Sequence, residues 1–198
     1  HTISRRQRQM CIRDSYIINS EEGHIVNTSS INGFWASLGG TPHTSYSAAK
    51  FAVKGFSEAL IDDLRVNAPH VDVSVVMPGH IGTSIAENTG KIMGGIKTEE
   101  DLEKVKENMI KMGMPVHNFT PEQIKQQIKE NAEAFKNNAP TTSAEAADVI
   151  LSAVKKKQWR ILVGDDAKAI DEWVRSAPEN AYNIHYNGEK RENLDEDI

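Results

Sequence analysis

The sequence predicts an α/β fold, part of a doubly wound parallel sheet, and three observations carry that prediction. Short runs rich in β-branched residues lie around residues 25–26, 71–77 and 159–163. Apolar residues at helical spacing lie between them, and the order strand, helix, strand, long excursion, helix, strand is that of a parallel sheet flanked by helices. Three strands are too few to cover such a sheet's inner neighbours, so the chain is expected to be the C-terminal half of the domain, with the N-terminal strands missing.

The elements follow in order. Residues 1–15, HTISRRQRQMCIRDS, have no apolar periodicity and resemble translated sequencing-adapter read-through. They are read as a non-native leader, set aside from the fold rather than taken as a targeting peptide or nucleic-acid arm. The stretch Gly23-His-Ile-Val-Asn-Thr-Ser-Ser30 reads as a buried strand closed by hydroxyl residues. A loop rich in Gly, Ser, Thr and Pro covers 33–44. Residues 45–67 then lack proline, and Phe51, Val53, Phe56, Leu60, Ile61 and Leu64 recur at helical spacing. They cover more than one face, as in a helix packed on a sheet and on a second subunit. Val71-Asp-Val-Ser-Val-Val-Met77 is the next strand, ended by Pro78-Gly79. Residues 84–140 form an insertion with polar amphipathic helices at 99–112 and 121–137, the second opened by Thr120 as N-cap and Pro121 as first helical residue. Ser143 caps a helix reaching about residue 157, a strand covers 159–163, and Asp165 or Asp166 caps a last helix ending near residue 176. Residues 16–176 thus make one domain, and 177–198 a polar, acidic tail.

Composition narrows the function classes. A chain of 198 residues with 38% hydrophobic and 26% charged residues has the make-up of an ordinary globular domain, long enough for a sizeable core. A mean hydropathy of -0.51 and the lack of a long apolar run predict no membrane span. The net charge is -5, and four arginines against one aspartate in residues 1–15 leave the remainder more acidic still, a poor partner for nucleic acid. One cysteine, Cys11, excludes an internal disulfide framework and a cysteine-built zinc site, and fits a reducing, cytoplasmic setting. The sequons at Asn27 and Asn118 are accordingly read as chance.

Chemistry concentrates in three places. Tyr46 and Lys50 are four residues apart, so phenol and ammonium share one helix face. Alone, such a pair is ordinary on a helix surface. A strand ending in Thr28-Ser29-Ser30 precedes it, however, and the carboxyl ends of parallel strands are where open α/β sheets hold ligands. Pro78-Gly79-His80-Ile81-Gly82-Thr83 closes the second strand and in isolation would be a simple turn, with His80 a loop histidine.

Together the strings Ile-Val-Asn-Thr-Ser-Ser-x-x-Gly, Tyr-Ser-Ala-Ala-Lys-Phe-Ala-Val-Lys-Gly-Phe and Val-Val-Met-Pro-Gly-x-Ile-x-Thr resemble the short-chain dehydrogenases/reductases, strongly over 17–83 and in outline over 140–165. The interval from Ser30 to Tyr46 is a few residues longer than the family's, which lengthens the loop at 35–43. The resemblance implies a Rossmann-like fold and an NAD(P)-dependent oxidoreductase acting on an alcohol/carbonyl pair. It casts Tyr46 as general acid/base, Lys50 as the ammonium that favours the phenolate and holds the nicotinamide ribose, and Ser30 as the hydroxyl that polarises the substrate oxygen. A phenol ordinarily titrates near 10, so a base at neutral pH needs about 4 kcal/mol of help, which a neighbouring ammonium and the cofactor's charge can supply. Ser29 and Ser45 are the competing hydroxyls; Ser30 matches the second serine of the family's Ser-Ser-x-x-Gly. Pro78, Gly79, Ile81 and Thr83 resemble the family's nicotinamide clamp. A homodimer or homotetramer joined through the long helix is also implied.

The phosphate-cradling glycine-rich turn has no counterpart. TGKIMGGI at 89–96 is a near miss that follows no strand and is rejected. The acidic or basic residue that selects NAD over NADP is absent too, so the choice stays open, and the chain alone is expected to be inactive. Met93, Met109, Met112 and Met114 suit either a lid over an apolar substrate or plain packing of the inserted helices. No histidine pair has metal spacing, so no metal is expected. A non-catalytic dinucleotide-binding scaffold, or a dehydratase or epimerase retaining the cofactor, are the rival functions.

Overall fold

The computed structural model describes residues 16–36, 43–92, 95–111 and 113–182. The expectations for residues 1–15, for the end of the chain beyond 182, for part of the 33–44 loop and for Met93 and Met112 lie outside these. In chain order the elements are β1 (Gly23–Thr28), α1 (Thr44–Asn67), β2 (Val71–Pro78), β3 (Ile81–Gly82), α2 (Ile85–Ile92), α3 (Glu99–Lys111), α4 (Pro121–Asn137), β4 (Thr141–Thr142), α5 (Ser143–Lys155), β5 (Arg160–Val163) and α6 (Asp165–Ser176). Short 3-10 turns cover Ile31–Gly33 and Pro178–Asn180. Contacts divide the chain into two compact units, His1–Gly79 with Ala147–Ile198, and His80–Ala146.

The first unit holds the predicted parallel sheet, in the order β1-β2-β5. Its register runs from Gly23 opposite Val71 to Thr28 opposite Val76, and from Val75 opposite Arg160 to Pro78 opposite Val163. The central strand β2 is buried almost throughout because Val71, Val73, Val75 and Val76 supply apolar side chains to both faces. β1 departs from the prediction of a buried strand. It is an outer strand of the described sheet, half-buried, with Val26 42% exposed. His24 Nε2 lies 2.6 Å from Ser74 Oγ, and that hydroxyl donates to the Gln158 carbonyl at 2.6 Å. The serine oxygen is thereby left to accept from the imidazole, and one polar thread links β1, the middle of β2 and the residues just before β5.

Helix α1 connects β1 to β2, beginning one residue earlier than predicted. Leu64, with half-buried Leu60 and Ile61, packs on Ala68, Val71, Val73 and Ile25. Ser57, fully buried, donates back to the Val53 carbonyl at 2.7 Å and accepts from Asn27 Nδ2 at 3.0 Å, tying helix to strand. Phe51 and Phe56 remain exposed.

Beside α6, Trp35 is buried against Ile31, Ala167, Ile170 and Ala181, with its ring edge-on to Trp173 at 5.3 Å. Its indole N–H donates to the Ala181 carbonyl at 2.9 Å, and the Ala36 N–H donates to the Tyr182 hydroxyl at 3.1 Å. The segment following Ser30 is therefore clamped by residues almost 150 positions later. Arg160 makes a two-pronged ion pair with Asp171 and lies over the Phe34 ring at 5.8 Å.

Two predicted caps are corrected. Gly164, at φ 101°, is the N-cap of α6, and no side chain caps that end. Asp165 and Asp166 are instead first-turn residues, where their charge suits the helix dipole. Asp165 pairs with Lys168 at 2.8 Å, and Asp166 lies against Gly79. Ser143 is likewise inside α5, and Thr142 with Glu145 forms the reciprocal cap.

In the second unit, β3 and β4 form a two-stranded parallel ladder, and Leu102, Met109, Val116 and Ile124 make a small core between α3 and α4. Thr120 and Gln123 complete the capping box that opens α4, as Thr120-Pro121 predicts. Met109 is buried in that core and Met114 packs against it, so these two methionines serve packing. Elements β3, α2 and β4 were not predicted. Residues 89–92 of the rejected glycine-rich string lie in α2.

Candidate active site

The site grows from the carboxyl end of β1. The Ser29 N–H extends the ladder by donating to the Val76 carbonyl at 2.7 Å, and its buried hydroxyl donates to the Lys50 carbonyl at 2.7 Å. Strand end and helix α1 are thereby pinned together. Gly33 makes this approach possible: a Cβ there would fall on Ser29 Oγ and reach within 3.0 Å of the Lys50 carbonyl oxygen. The spacing Ser-Ser-x-x-Gly thus has a steric reason in this chain.

Ser30 adopts an extended backbone and caps the 3-10 turn, its Oγ accepting from the Asn32 N–H at 3.2 Å. It is 7% exposed. The Asn32 side chain, buried, has its Oδ1 3.5 Å from Ser30 Oγ and donates through Nδ2 to Ser47 Oγ at 3.2 Å. Ser47 in turn donates to the Ala36 carbonyl at 3.5 Å. Since Ser47 follows Tyr46 directly, the network runs from Ser30 to the residue beside the phenol. Sequence reasoning missed Asn32 and Ser47, because a lone Asn and a Ser within a helix carry no spacing signal.

Tyr46 stands on the first turn of α1, 45% exposed, with His43 edge-on to its ring at 6.3 Å. One turn later, Lys50 Nζ lies 5.5 Å from the centre of that ring and donates to the Thr28 carbonyl at 3.1 Å. The ammonium thus joins the end of β1 to the aromatic ring, and the predicted sharing of one helix face is realised. Of the competing hydroxyls, that of Ser29 is spent inside the fold, and Ser45 is exposed on the helix.

Pro78 ends β2, and the Gly79 N–H donates to the Val163 carbonyl at 2.9 Å. A Cβ at Gly79 would run into the Asp166 carboxylate. Ile81 and Thr83 belong to the second unit, half-buried on and just after β3. His80 is a packed loop residue, its Nε2 2.7 Å from the Phe135 carbonyl and its ring 4.3 Å from the Phe135 ring. Among the described residues there is no cluster of metal-ligating side chains, and no helix is long and apolar enough to cross a membrane.

Residues 9–93 match the family model described as short chain dehydrogenase. The protein named "Putative oxidoreductase SadH" from Mycobacterium tuberculosis is 35% identical over 161 residues, which are 81% of this chain and 46% of that protein. The 3-ketodihydrosphingosine reductase of Bacteroides thetaiotaomicron is 42% identical over 74 residues, 37% of this chain and 25% of its own. The crystal structure of a short chain dehydrogenase/reductase from Burkholderia phymatum in complex with NAD superposes with a TM-score of 0.51 at 22% identity, covering 88% of this chain and 52% of that one, a likeness of fold. The chain spans about half the length, or less, of the proteins it matches.

Proposed function

Because the chain belongs to the short chain dehydrogenase family, its match spanning residues 9–93, we propose that the protein containing it is an NAD(P)-dependent oxidoreductase interconverting an alcohol and a carbonyl compound. The observation that carries this reading is the placement of Lys50. Its ammonium is held by the Thr28 carbonyl at the strand end, against the ring of an exposed tyrosine, with Ser30 fixed at the same strand end.

The donor set fits the nicotinamide end of a dinucleotide. Lys50 and Tyr46 present an ammonium and a phenol for a ribose, and Pro78 and Gly79 offer backbone groups at the end of the central strand. Ile81 and Thr83 are assigned to the carboxamide by their place in the sequence motif. The bound cofactor supplies or accepts the hydride. In the reductive direction Ser30 and Tyr46 donate hydrogen bonds to the substrate carbonyl oxygen, Tyr46 gives up its proton to the forming alkoxide, and Lys50 compensates the phenolate charge left behind. Oxidation reverses these transfers. NAD and NADP both remain open. The substrate is a small molecule, and the single cysteine points to a reducing cytoplasmic setting. The exposed Phe51 and Phe56 on α1 support a homodimer or homotetramer through that helix.

The test is turnover of NAD(P)H against a panel of aldehydes and ketones by the protein carrying this chain. Tyr46→Phe should lower kcat by about 10²–10⁴-fold while cofactor binding persists. Cofactor binding with no turnover, indifferent to Tyr46→Phe, would mark a dinucleotide-binding scaffold instead. Product formation with no net change in the cofactor would mark a dehydratase or epimerase.

A further inference from the structure

The second unit contains a groove of about 900 Å³ walled by α2, α3 and α4, within the size range of small-molecule sites. Its apolar lining comes from Ile96, Val105, Ile128 and Ala132. The first three are half-buried and pack against the unit's core, so the groove opens directly onto apolar packing. Its rim is basic. Lys91, Lys125, Lys129 and Lys136 face only two glutamates, Glu87 and Glu133, in a chain whose net charge is -5.

The two glutamates are already engaged. Glu87 holds Lys91 at 2.6 Å, and Glu133 lies 3.7 Å from Lys129. Lys125 and Lys136 make no salt bridge among the described residues, although the charge of Lys136 adds to that of Lys91 in holding the Glu87 carboxyl below its ordinary range. Two cations beside an apolar trough are complementary to a ligand with one anionic end and one hydrocarbon end. A neutral hydrocarbon would leave the cations unused, and a cationic amphiphile would be repelled by them.

We infer that this groove binds an anionic single-chain amphiphile, its hydrocarbon along Ile96, Val105, Ile128 and Ala132 and its carboxylate or comparable anion at the basic rim to which Lys125 and Lys136 contribute. The inference does not rest on the redox reading above, and its test needs neither cofactor nor turnover.

The experiment is titration calorimetry on the full chain with decanoate, decanol and decyltrimethylammonium, each below the concentration at which it self-associates. Decanoate should bind at least tenfold more tightly than either of the others, and lengthening the carboxylate by one methylene should tighten binding by up to about fourfold. Exchanging both lysines in a Lys125→Glu, Lys136→Glu variant should weaken decanoate about tenfold or more and leave decanol within about twofold. Ala132→Trp, which fills the trough from an accessible helix position, should abolish binding of all three, with unchanged far-ultraviolet dichroism showing that α4 persists. No decanoate binding, equal affinity for decanol, tighter binding of the cationic probe or indifference to the lysine exchange would each overturn the assignment.

Discussion

At the scale of single residues, the side chains that the motif displays and those that hold them in place were unequally legible. Ser30, Tyr46 and Lys50 stand out because the strings that contain them resemble those of the short-chain dehydrogenases/reductases, whereas the spacing of Tyr46 and Lys50 alone is ordinary. The pairing of Asn32 with Ser47 shows nothing in the sequence, although Ser47 lies inside the Tyr-Ser-Ala-Ala-Lys string, since a buried hydrogen bond between residues fifteen apart leaves no periodic trace. Gly33 lies between the two cases: the motif marks it, and the structure explains it through the contact between Ser29 Oγ and the Lys50 carbonyl. Gly33→Ala should therefore cost about 1–3 kcal/mol of stability. Adding Ser29→Ala, which removes the nearest obstructing atom, should recover part of the loss. Urea denaturation of the single and double variants checks this, and an unaltered midpoint for Gly33→Ala would remove the steric reason for the glycine. Asn32→Ala, which leaves Ser47 without its donor and Ser30 without the neighbouring amide, should cost about 1–3 kcal/mol on the same measurement.

At the scale of elements, strong periodicity succeeded and end chemistry partly failed. α1 and α4 were predicted to within a residue because each is long and the second carries a Thr-Pro start. β3 and β4 escaped because two-residue strands have no pattern to read, and α2 because eight residues with a glycine give too little period. At α5 the sequence reading puts the cap on Ser143. The structure selects Thr142 because Glu145 lies three residues on and closes the reciprocal box, while Ser143 donates to the Gly82 carbonyl at 2.6 Å. The Glu145 carboxyl is held below its ordinary range by the Thr142 backbone N–H and then by the Thr142 hydroxyl. A carboxylate depressed in the folded state contributes stability that is complete above its unfolded pKa and is lost as pH falls through the lower folded value. The contribution of this cap is thus expected to fade only in acid, below the ordinary carboxylate range. Glu145→Gln retains an acceptor but cannot titrate. Melting temperatures of the two proteins should converge as pH is lowered through that range, and parallel curves would show that Glu145 adds no acid-sensitive term. Further along the chain, Arg160 and Asp171 are both largely buried, so Asp171→Ala, by stranding the guanidinium, should destabilise the first unit by about 3–5 kcal/mol in chemical denaturation.

At the scale of the whole molecule, the alternation of strands and helices disclosed the parallel sheet, and the change of character after residue 84 disclosed an excursion from it. It could not disclose that β1 lies at the outside of the described sheet, because burial depends on neighbours that a strand's own residues do not specify. Nor could it show that the excursion closes around a core of its own. The clusters about Trp35 and Leu64 belong to one unit and that about Ile124 to the other, with no buried residue in common. Cores built from separate residue sets are expected to open separately, each exchanging its amide hydrogens at a rate set by its own packing. Ile124, 1% exposed, is the most deeply buried side chain of the second unit's helices, and truncating it to alanine removes about 2–5 kcal/mol of packing. In Ile124→Ala the amides of α3 and α4 should therefore lose protection by roughly 30-fold or more, while those of β2, held between β1 and β5, keep theirs. Equal loss of protection in β2 would mean that the two cores open as one cooperative body.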